Sequence, residues 1–245
     1  MIDEVLVLAA GKSTRIASVA GGLPKPLLTF RGISILSRNL QWLAEAGIRS
    51  VWINLHHQPE LIRRTVENGS RWGMAVHYSH EPALLGTAGA WKHLEANWTS
   101  TSLVVYGDNL LRFDLSRFLE CHRRMGALVT VAVFDPRLHA NTGIAGGYIE
   151  MNGERRVIRF VEGGSLVGEG PMYVNAGAYL LEPELRSRIG GGFQDFGKDV
   201  FPPLSAKGQL AGYLLEPNGY CLGVDTPESL RMAQALVDEA RIVLT

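Results

Sequence analysis

Cysteine and net charge are both scarce in this chain. Its 245 residues include two cysteines, and its 24 basic and 24 acidic side chains cancel. Two cysteines without metal-finger spacing exclude a disulfide framework and a zinc finger, and they are typical of a reduced cytosolic protein. A balanced charge without runs of one sign gives no electrostatic case for a nucleic-acid partner. Any positively charged site must therefore be local.

Long hydrophobic runs are absent as well. No apolar stretch approaches the roughly 20 residues that cross a membrane. The first strand-like run begins at Val5, which leaves no room for a signal peptide. We therefore expect a cytoplasmic protein that does not associate with membranes. The length is sufficient for one large α/β domain with a substantial core, so size is no obstacle to an enzyme.

Strand-like and helix-like segments alternate along the first half of the chain. Apolar strand-like runs cover 5–8, 50–55, 74–78 and 103–106, and helical patterns cover 35–46, 58–68, 87–95 and 115–125. This alternation predicts a Rossmann-like, doubly wound α/β fold with a mixed, mainly parallel sheet. Short strands with glycine-rich turns over 128–181 predict an extension of that sheet, and 227–241 predicts a closing helix.

No linker or internal repeat divides the sequence. We therefore predict a single domain over 1–245. Within it, about 1–125 would form a nucleotide-binding half and about 126–245 a half for the second substrate.

The most informative segment follows the first predicted strand. Leu8 to Leu28 reads LAAGKSTRIASVAGGLPKPLL. The small residues at 9–11 let the backbone approach a ligand, and N–H groups there can cradle a phosphate. Arg15 offers a planar fork for bidentate phosphate contacts, and Lys25, between two prolines, offers a compact charge. The segment therefore predicts a phosphate site.

This segment matches neither of two better-known phosphate motifs. A P-loop needs a glycine at the position of Leu6, and no G-x-G-x-x-G follows the first strand. Taken alone, the turn also fits an ordinary strand-to-helix connection with solvated basic residues. The phosphate interpretation therefore depends on the rest of the chain.

Two aspartates are candidate metal ligands. Asp108 follows the apolar run 103–106, at the end of a predicted strand where open parallel sheets bind ligands, and Asp225 precedes the last predicted helix. Mg²⁺ suits this pair because it keeps several waters and takes one or two carboxylates beside substrate phosphates. Either aspartate alone also fits an ordinary turn or helix start. Together with Arg15 and Lys25, the pair favours a magnesium–phosphate site.

These segments resemble the sugar-1-phosphate nucleotidyltransferase family over nearly the whole chain. The segment 8–27 is similar to the family's G-x-G-T-R and P-K-P-L signature, 81–90 (EPALLGTAGA) to its nucleotide-base loop, and 106–108 (YGD) to its metal-binding G-D. The segments 160–162 and 174–179 resemble its sugar-binding segments, and 195–202 resembles E-K-D-x-x-P. All of them occur in the family's order.

The resemblance implies a set of site residues. Arg15 and Lys25 would be catalytic, and Mg²⁺ would be held by Asp108 and Asp225. The implied nucleotide contacts are Leu8, Ala9, Ala10, Gly11, Ser13, Thr14, Glu81, Gly86, Thr87 and Asp108. The implied sugar-phosphate contacts are Asn109, Gly147, Glu162, Asn175 and Lys198.

The chain departs from the family pattern at three places. Ser13 replaces a glycine of the first signature, where we expect the turn to survive with an added hydroxyl group. Gly163 stands where the family has a lysine that holds the sugar phosphate, and Lys198, Lys25 or Arg31 are candidate replacements. The family's W-L-D-x-G-T-P-E appears at 221–228 as CLGVDTPE, with the aspartate and the glycine exchanged, so that Asp225 stands where the family has glycine. The CMP-Kdo synthetases have a similar G-V-D-T-P-E.

The resemblance implies transfer of a nucleoside monophosphate from a nucleoside triphosphate to a sugar 1-phosphate, with release of pyrophosphate. The chain most resembles the short bacterial guanylyltransferases, so GTP with a heptose or mannose 1-phosphate is our first expectation. Transfer from UTP to a hexose or amino-sugar 1-phosphate is an alternative. A catalytically silent subunit that binds nucleotide sugars is another. Helices in the second half could form a homodimer contact.

Overall fold

A computed structural model describes residues 2–143, 147–163 and 171–244. The α-helices are α1 (Ile35–Glu45), α2 (Pro59–Val66), α3 (Gly86–His93), α4 (Leu115–Met125), α5 (Phe201–Ala206) and α6 (Pro227–Asp238). The strands are β1 (Glu4–Leu8), β2 (Thr29–Phe30), β3 (Ile33–Ser34), β4 (Ser50–Leu55), β5 (Ala75–His80), β6 (Ser102–Tyr106), β7 (Asn109–Arg112), β8 (Val129–Phe134), β9 (Tyr148–Met151), β10 (Val157–Val161), β11 (Met172–Leu181), β12 (Leu210–Leu214) and β13 (Tyr220–Gly223). None of the described helices is long and apolar enough to cross a membrane.

One mixed sheet organises the described residues. Its nine strands run in the order β10-β9-β11-β6-β1-β4-β5, with β8 between β11 and β12. The strands β6, β1, β4 and β5 are parallel, as expected for βαβ units. The strand β11 is antiparallel to β6 and continues the sheet into the second half. Because the sheet crosses both halves without a break, the predicted single-domain α/β fold is confirmed.

The two faces of this sheet carry separate cores, which makes the fold doubly wound. Val5 and Val7 of β1 pack in a cluster with α1, α2 and α4. Leu6 and Leu8 point the other way, into a cluster with α3 and α5. Alternation with a period of two along β1 places these neighbours on opposite faces.

Several predicted bounds agree with the structure, and some strands were missed. Segments 50–55 and 115–125 have the observed bounds of β4 and α4. The strand β12 was missed because Gly212 interrupts its pattern: a Cβ there would lie 2.1 Å from Met151 Sδ. The pair β7–β13 was also missed, since β7 follows β6 after the short turn at 107–108 and reads as part of the same apolar region.

The capped start of α6 determines where Asp225 lies. Thr226 caps the helix through its hydroxyl group, 3.1 Å from the Ser229 N–H, and Ser229 Oγ accepts from the Thr226 N–H at 2.9 Å. Pro227 occupies the first turn, as predicted. Further along, α6 packs with Ile16 and Ala20 in a third apolar cluster. Asp225, just before the helix, is thereby placed beside the 8–28 segment.

The turn that carries Asp108 is held by a buried amide. Asn39 of α1 is fully buried, and its Nδ2 donates to the carbonyl of Asn109 at 2.7 Å and to that of Tyr106 at 3.4 Å. Its Oδ1 accepts from the Leu111 N–H at 3.3 Å. One side chain therefore fixes the path of the backbone on both sides of Asp108.

Replacing this amide tests how much the turn depends on it. We expect Asn39→Leu to lower the free energy of unfolding by about 2–4 kcal/mol, because buried main-chain groups lose their partner. Urea unfolding at pH 7 measures the change. Gln41→Ala is the control, since Gln41 lies on the same helix and bonds only the exposed Glu45; it should cost no more than about 0.5 kcal/mol. Equal effects of the two substitutions would contradict this role of Asn39.

Candidate active site

A cleft of about 350 Å³ opens at the carboxyl ends of β1 and β6. This is the edge where open α/β sheets bind ligands. The cleft brings together twelve of the predicted site residues: Leu8, Ala9, Gly11, Ser13, Thr14, Arg15, Lys25, Asp108, Asn109, Glu162, Asn175 and Asp225. Residues from both halves of the chain therefore meet in one place.

Two cations and two carboxylates converge in this cleft. Asp225 Oδ1 accepts from Arg15 Nη2 at 2.8 Å and also from Lys25 Nζ. Lys25 Nζ lies 3.7 Å from Asp108 Oδ2. The side chain of Lys25 is 8% exposed, whereas that of Arg15 is 62% exposed. Lys25 is therefore a fixed, internal charge, and Arg15 extends toward solvent, where it can reach a ligand.

The surroundings of Asp108 affect its protonation. Burial raises the pKa of Asp108, the Lys25 ammonium group opposes that rise, and Asp225 adds to it. The neighbouring Cys221 is buried and donates to the carbonyl of Ala176 at 3.2 Å. Burial raises the pKa of its thiol, and both aspartates raise it further. Because the thiol stays protonated at neutral pH, its sulfur is a poor metal ligand.

The turn after β1 keeps the conformation that glycine favours, although residue 13 is a serine. Ser13 has a φ of 55° and lies in the left-handed region. The backbone of the turn therefore has the expected conformation. The Ser13 hydroxyl group adds a contact, because its Oγ accepts from the Lys25 N–H at 2.9 Å.

The predicted base loop is organised from below by Glu81 and Asn54. Glu81 is buried, and its carboxylate accepts from Asn54 Nδ2 at 2.8 Å and from the Leu85 N–H at 3.1 Å. Asn54 Oδ1 accepts from the Ala9 N–H at 2.7 Å. Glu81 therefore supports the loop from inside and does not line the cleft. A continuous hydrogen-bonded path links the turn after β1 to the start of α3.

The start of α3 requires glycine. Gly86 has a φ of +74°, and a Cβ there would lie 2.3 Å from the carbonyl oxygen of Gln194. Thr87 Oγ1 donates to Asp195 Oδ2 at 3.0 Å and accepts from the Phe196 N–H at 2.9 Å. Gly86 and Thr87 are thus packed against the 194–196 segment.

Glu162 is the polar group with the least satisfied surroundings in the second half of the cleft. Its Oε2 is buried without a hydrogen-bond partner among the described residues. This oxygen lies between Gly147 and Gly197. A Cβ added at Gly147 would lie 2.7 Å from it, and a Cβ added at Gly197 would lie 2.3 Å from it. Burial raises the pKa of Glu162, Asp195 raises it further, and Lys198 opposes them. An orphan carboxylate oxygen in a cleft can accept a hydrogen bond from a ligand hydroxyl group.

Asn175 already has partners within the protein. Its Nδ2 donates to the Tyr179 hydroxyl group at 2.7 Å, and its Oδ1 accepts from the Gly177 N–H at 2.9 Å. Gly177 has a φ of +75°, and a Cβ there would lie 2.9 Å from Asn109 Nδ2. These contacts hold the bend of β11 and place Asn175 and Asn109 along one wall of the cleft.

Some predicted site residues lie outside the cleft lining. They are Ala10, Glu81, Gly86, Thr87, Gly147 and Lys198. Lys198 is exposed on the turn Phe196–Val200, and its positive charge opposes the rise in the pKa of Glu162. Arg31 is committed elsewhere, since its Nη2 donates to the Val237 carbonyl of α6 at 2.8 Å. Gly164, beside the missing lysine position, lies outside the described residues.

Several further residues line the cleft. Thr142 lines the cleft, and its Oγ1 donates to the Gly223 carbonyl at 2.6 Å. Cys221 and Ser229 also line it. No sequence signal marks Thr142, because its role depends on contact with a residue far along the chain. The buried Asn54 did carry a signal, since it interrupts the otherwise apolar run of β4.

The donor set of the cleft consists of two carboxylates, a ligand type that suits a hard divalent cation. Asp108 and Asp225 converge on one ammonium group, so their carboxylates are close enough to act together. In the described part of the chain, no group of three or more His, Cys, Asp or Glu residues could hold a metal. Zinc sites take three or four protein ligands, whereas Mg²⁺ takes one or two carboxylates with substrate phosphates.

Fold and cleft together define a class of protein. It is an α/β protein in which a small-residue turn, two cations and two carboxylates face one ligand-binding edge. The chain belongs to the Nucleotidyl transferase family, whose model matches residues 4–239. Members of this family typically need a divalent metal.

Relatives with assigned names share most of this chain. It is 32% identical to a mannose-1-phosphate guanylyltransferase of Mycobacterium tuberculosis, over 92% of this chain and 62% of that protein. It is 29% identical to a UTP–glucose-1-phosphate uridylyltransferase of Synechocystis, over 84% of this chain and 56% of that protein. The chain thus spans less than two thirds of the length of these relatives.

A solved structure shows the same fold over nearly the whole chain. HddC from Yersinia pseudotuberculosis, complexed with GMP-PN, superposes with a TM-score of 0.76 at 23% sequence identity. The match covers 96% of this chain and 99% of that chain.

The buried carboxylate of Glu162 gives a stability prediction. Burial and Asp195 raise its folded-state pKa above the ordinary value of 4.5, so the native state binds a proton more tightly than the unfolded chain does. Stability from that proton is present below pH 4.5 and is lost as pH rises through the folded-state pKa. We expect Glu162→Gln to stabilise the protein at pH 8 by about 0.5–1 kcal/mol, because the neutral amide carries no charge that burial penalises.

The measurement is urea unfolding of wild type and variant between pH 4 and 8. The stability difference should be small at the acidic end and grow toward pH 8. Glu154→Gln is the control because Glu154 is exposed, and it should leave the difference near zero throughout. A Glu162→Gln variant no more stable than wild type at pH 8 would show that the buried carboxylate carries no such penalty.

Proposed function

We propose that this protein transfers a nucleoside monophosphate from a nucleoside triphosphate to a sugar 1-phosphate and releases pyrophosphate. The observation that carries the proposal is the convergence of Arg15, Lys25, Asp108 and Asp225 in one cleft. Cations matched with metal-type carboxylates at a small-residue turn suit the handling of several phosphate groups at once. Family membership supports the same chemistry.

In the proposed reaction, a phosphate oxygen of the sugar 1-phosphate attacks the α-phosphorus of the triphosphate. The bond to the bridging oxygen breaks, and pyrophosphate leaves with that electron pair. The nucleophile is already anionic, so no general base is needed. Catalysis then reduces to positioning and to neutralising charge on phosphorus.

The residues of the cleft divide this work by their exposure. Arg15 reaches toward solvent and would bind the β- and γ-phosphates with its planar fork. Lys25, buried and close to both carboxylates, would lie between the α-phosphate and the incoming sugar phosphate. Asp108 and Asp225 would hold Mg²⁺, which supplies Lewis-acid neutralisation of phosphate charge when bound. Because Gly163 has no side chain that could bind the sugar phosphate, Lys25 and Lys198 are the candidates for that role.

The other walls would bind the remaining parts of the two substrates. Backbone groups of the turn after β1 and of the loop before α3 would face the nucleotide, with Glu81 and Gly86 keeping that loop in place. Glu162, Asn109 and Asn175 would face the sugar, and the orphan Oε2 of Glu162 would accept from a sugar hydroxyl group. The first half of the chain would thus bind nucleotide and the second half sugar phosphate.

We propose GTP with a mannose or heptose 1-phosphate as the substrate pair. The guanylyltransferase relative at 32% identity and the GMP-PN complex of HddC support guanine. UTP with a hexose 1-phosphate is the second candidate, and the uridylyltransferase relative supports it. A silent regulatory subunit is disfavoured because Arg15, Lys25 and Asp108 are present together in the cleft. A cytoplasmic location completes the proposal, and homodimer formation stays a prediction.

A pyrophosphate-release assay tests the proposal. ATP, CTP, GTP and UTP would each be paired with mannose, heptose, glucose and glucosamine 1-phosphates, with Mg²⁺ or with excess EDTA. We expect release with GTP in the presence of Mg²⁺ and none in EDTA. Release with UTP alone would support the second candidate. Absence of release with every pair would favour the silent subunit.

Removal of either central charge gives a kinetic prediction. We expect Lys25→Ala and Asp108→Ala each to lower kcat by about 100-fold or more, because a single charge in a shielded site stabilises the transition state by that amount. Far-UV circular dichroism should stay close to wild type, because the fold itself does not depend on either side chain. Lys207→Ala is the control, since Lys207 is exposed and lies outside the cleft. Near-normal turnover of the Lys25 or the Asp108 variant would contradict the catalytic site proposed here.

A further inference from the structure

We propose that Ser13 is a positioning residue for Lys25 and acts through the main chain of that lysine. The inference rests on the proposed function, because it assigns Lys25 to phosphate transfer. The contact that carries it is the hydrogen bond from the Lys25 N–H to Ser13 Oγ, 2.9 Å long and spanning 12 positions of sequence. It joins the turn after β1 to the turn that carries the buried ammonium group.

The Lys25 N–H needs a partner that its own turn cannot supply. Lys25 begins the 3₁₀ turn Lys25–Leu27, and the first N–H groups of such a turn have no acceptor within it. Pro24, at the cap position, gives no side-chain hydrogen bond, and neither Pro24 nor Pro26 has an N–H of its own. Lys25 is therefore the one residue of 24–26 that can be tied by its main-chain N–H, and Ser13 provides the acceptor.

The main-chain position of Lys25 decides where its ammonium group lies. The side chain is 8% exposed and ends between Asp108 and Asp225. A side chain enclosed in this way has few alternative rotamers with which to correct a shift of its backbone. A displaced Lys25 backbone would therefore move Nζ away from the phosphates that it has to contact.

The backbone of Ser13 indicates that its hydroxyl group has a use. Ser13 has a φ of 55°. This left-handed conformation costs more free energy for a residue with a Cβ than for glycine. Glycine would adopt this turn more easily but would leave the Lys25 N–H without its acceptor. The two effects can be separated experimentally, because Ser13→Gly relieves the backbone while Ser13→Ala keeps the Cβ, and both remove the hydrogen bond.

The test compares Ser13→Ala and Ser13→Gly with wild type and with Ala240→Gly. Ala240 has the same φ of 55°, is exposed and lies outside the cleft, after the end of α6. The three measurements are amide hydrogen exchange at Lys25 by NMR, Tm, and kcat and KM in the pyrophosphate-release assay with the best substrate pair.

We expect faster exchange at Lys25 in both Ser13 variants and a fall in kcat of about tenfold, the effect typical of removing one hydrogen bond that positions a charge. KM for the triphosphate should stay within about twofold. Tm should be higher in Ser13→Gly than in Ser13→Ala, because only glycine relieves the turn. Ala240→Gly should leave exchange at Lys25 and kcat unchanged.

Two outcomes would overturn the inference. Unchanged exchange at Lys25 in both variants would show that the hydroxyl group does not hold this N–H. A rise in KM for the triphosphate that accounts for the whole decrease in kcat/KM would show that Ser13 contacts the nucleotide directly. Failure of the proposed function is distinguishable, because wild type itself would then release no pyrophosphate, while hydrogen exchange would still report on the contact between Ser13 and Lys25.

Discussion

The arrangement of the cleft depends on the contacts that the ammonium group of Lys25 makes with two carboxylates. It lies against Asp225, 200 positions away in sequence, and near Asp108 at the end of β6. Two partly buried carboxylates around one group repel each other and lose hydration, and the cation between them offsets both costs. The lysine therefore holds together the start, the middle and the end of the chain at one edge of the sheet.

Buried amides keep the loops around this charge cluster in place. Asn39 ties the turn that carries Asp108 to α1, and Asn54 ties the turn after β1 to Glu81 and the loop before α3. Each buried amide joins segments that would otherwise leave main-chain groups unpaired. The loops around the cleft are thus supported from the protein interior.

The sequence predicted the fold because its periodicities are local. Alternating strand-like and helical runs need no knowledge of distant contacts, and they fixed the sheet, its two covered faces and the ligand-binding edge. Most of the proposed site followed from a small-residue turn, two cations and two aspartates recognised as a pattern. Glu81 and Lys198 show what such a pattern leaves open. The family resemblance implied a substrate contact for both, and the structure adds that Glu81 is enclosed beneath a loop and that Lys198 lies outside the cleft lining.

The sequence by itself determined the fold class, the family and the charged groups of the cleft, since these depend on residue type and order. Only the tertiary structure decided that Asp225 meets Lys25, that Ser13 bonds the Lys25 main chain and that Glu162 keeps an oxygen without a partner among the described residues. Each of these facts depends on groups that the fold brings together, 200 positions apart for Lys25 and Asp225 and 12 positions apart for Ser13 and Lys25. The packing of α6 near the 8–28 segment and the pairing of β11 with β6 help to set these positions, which have no counterpart in local composition.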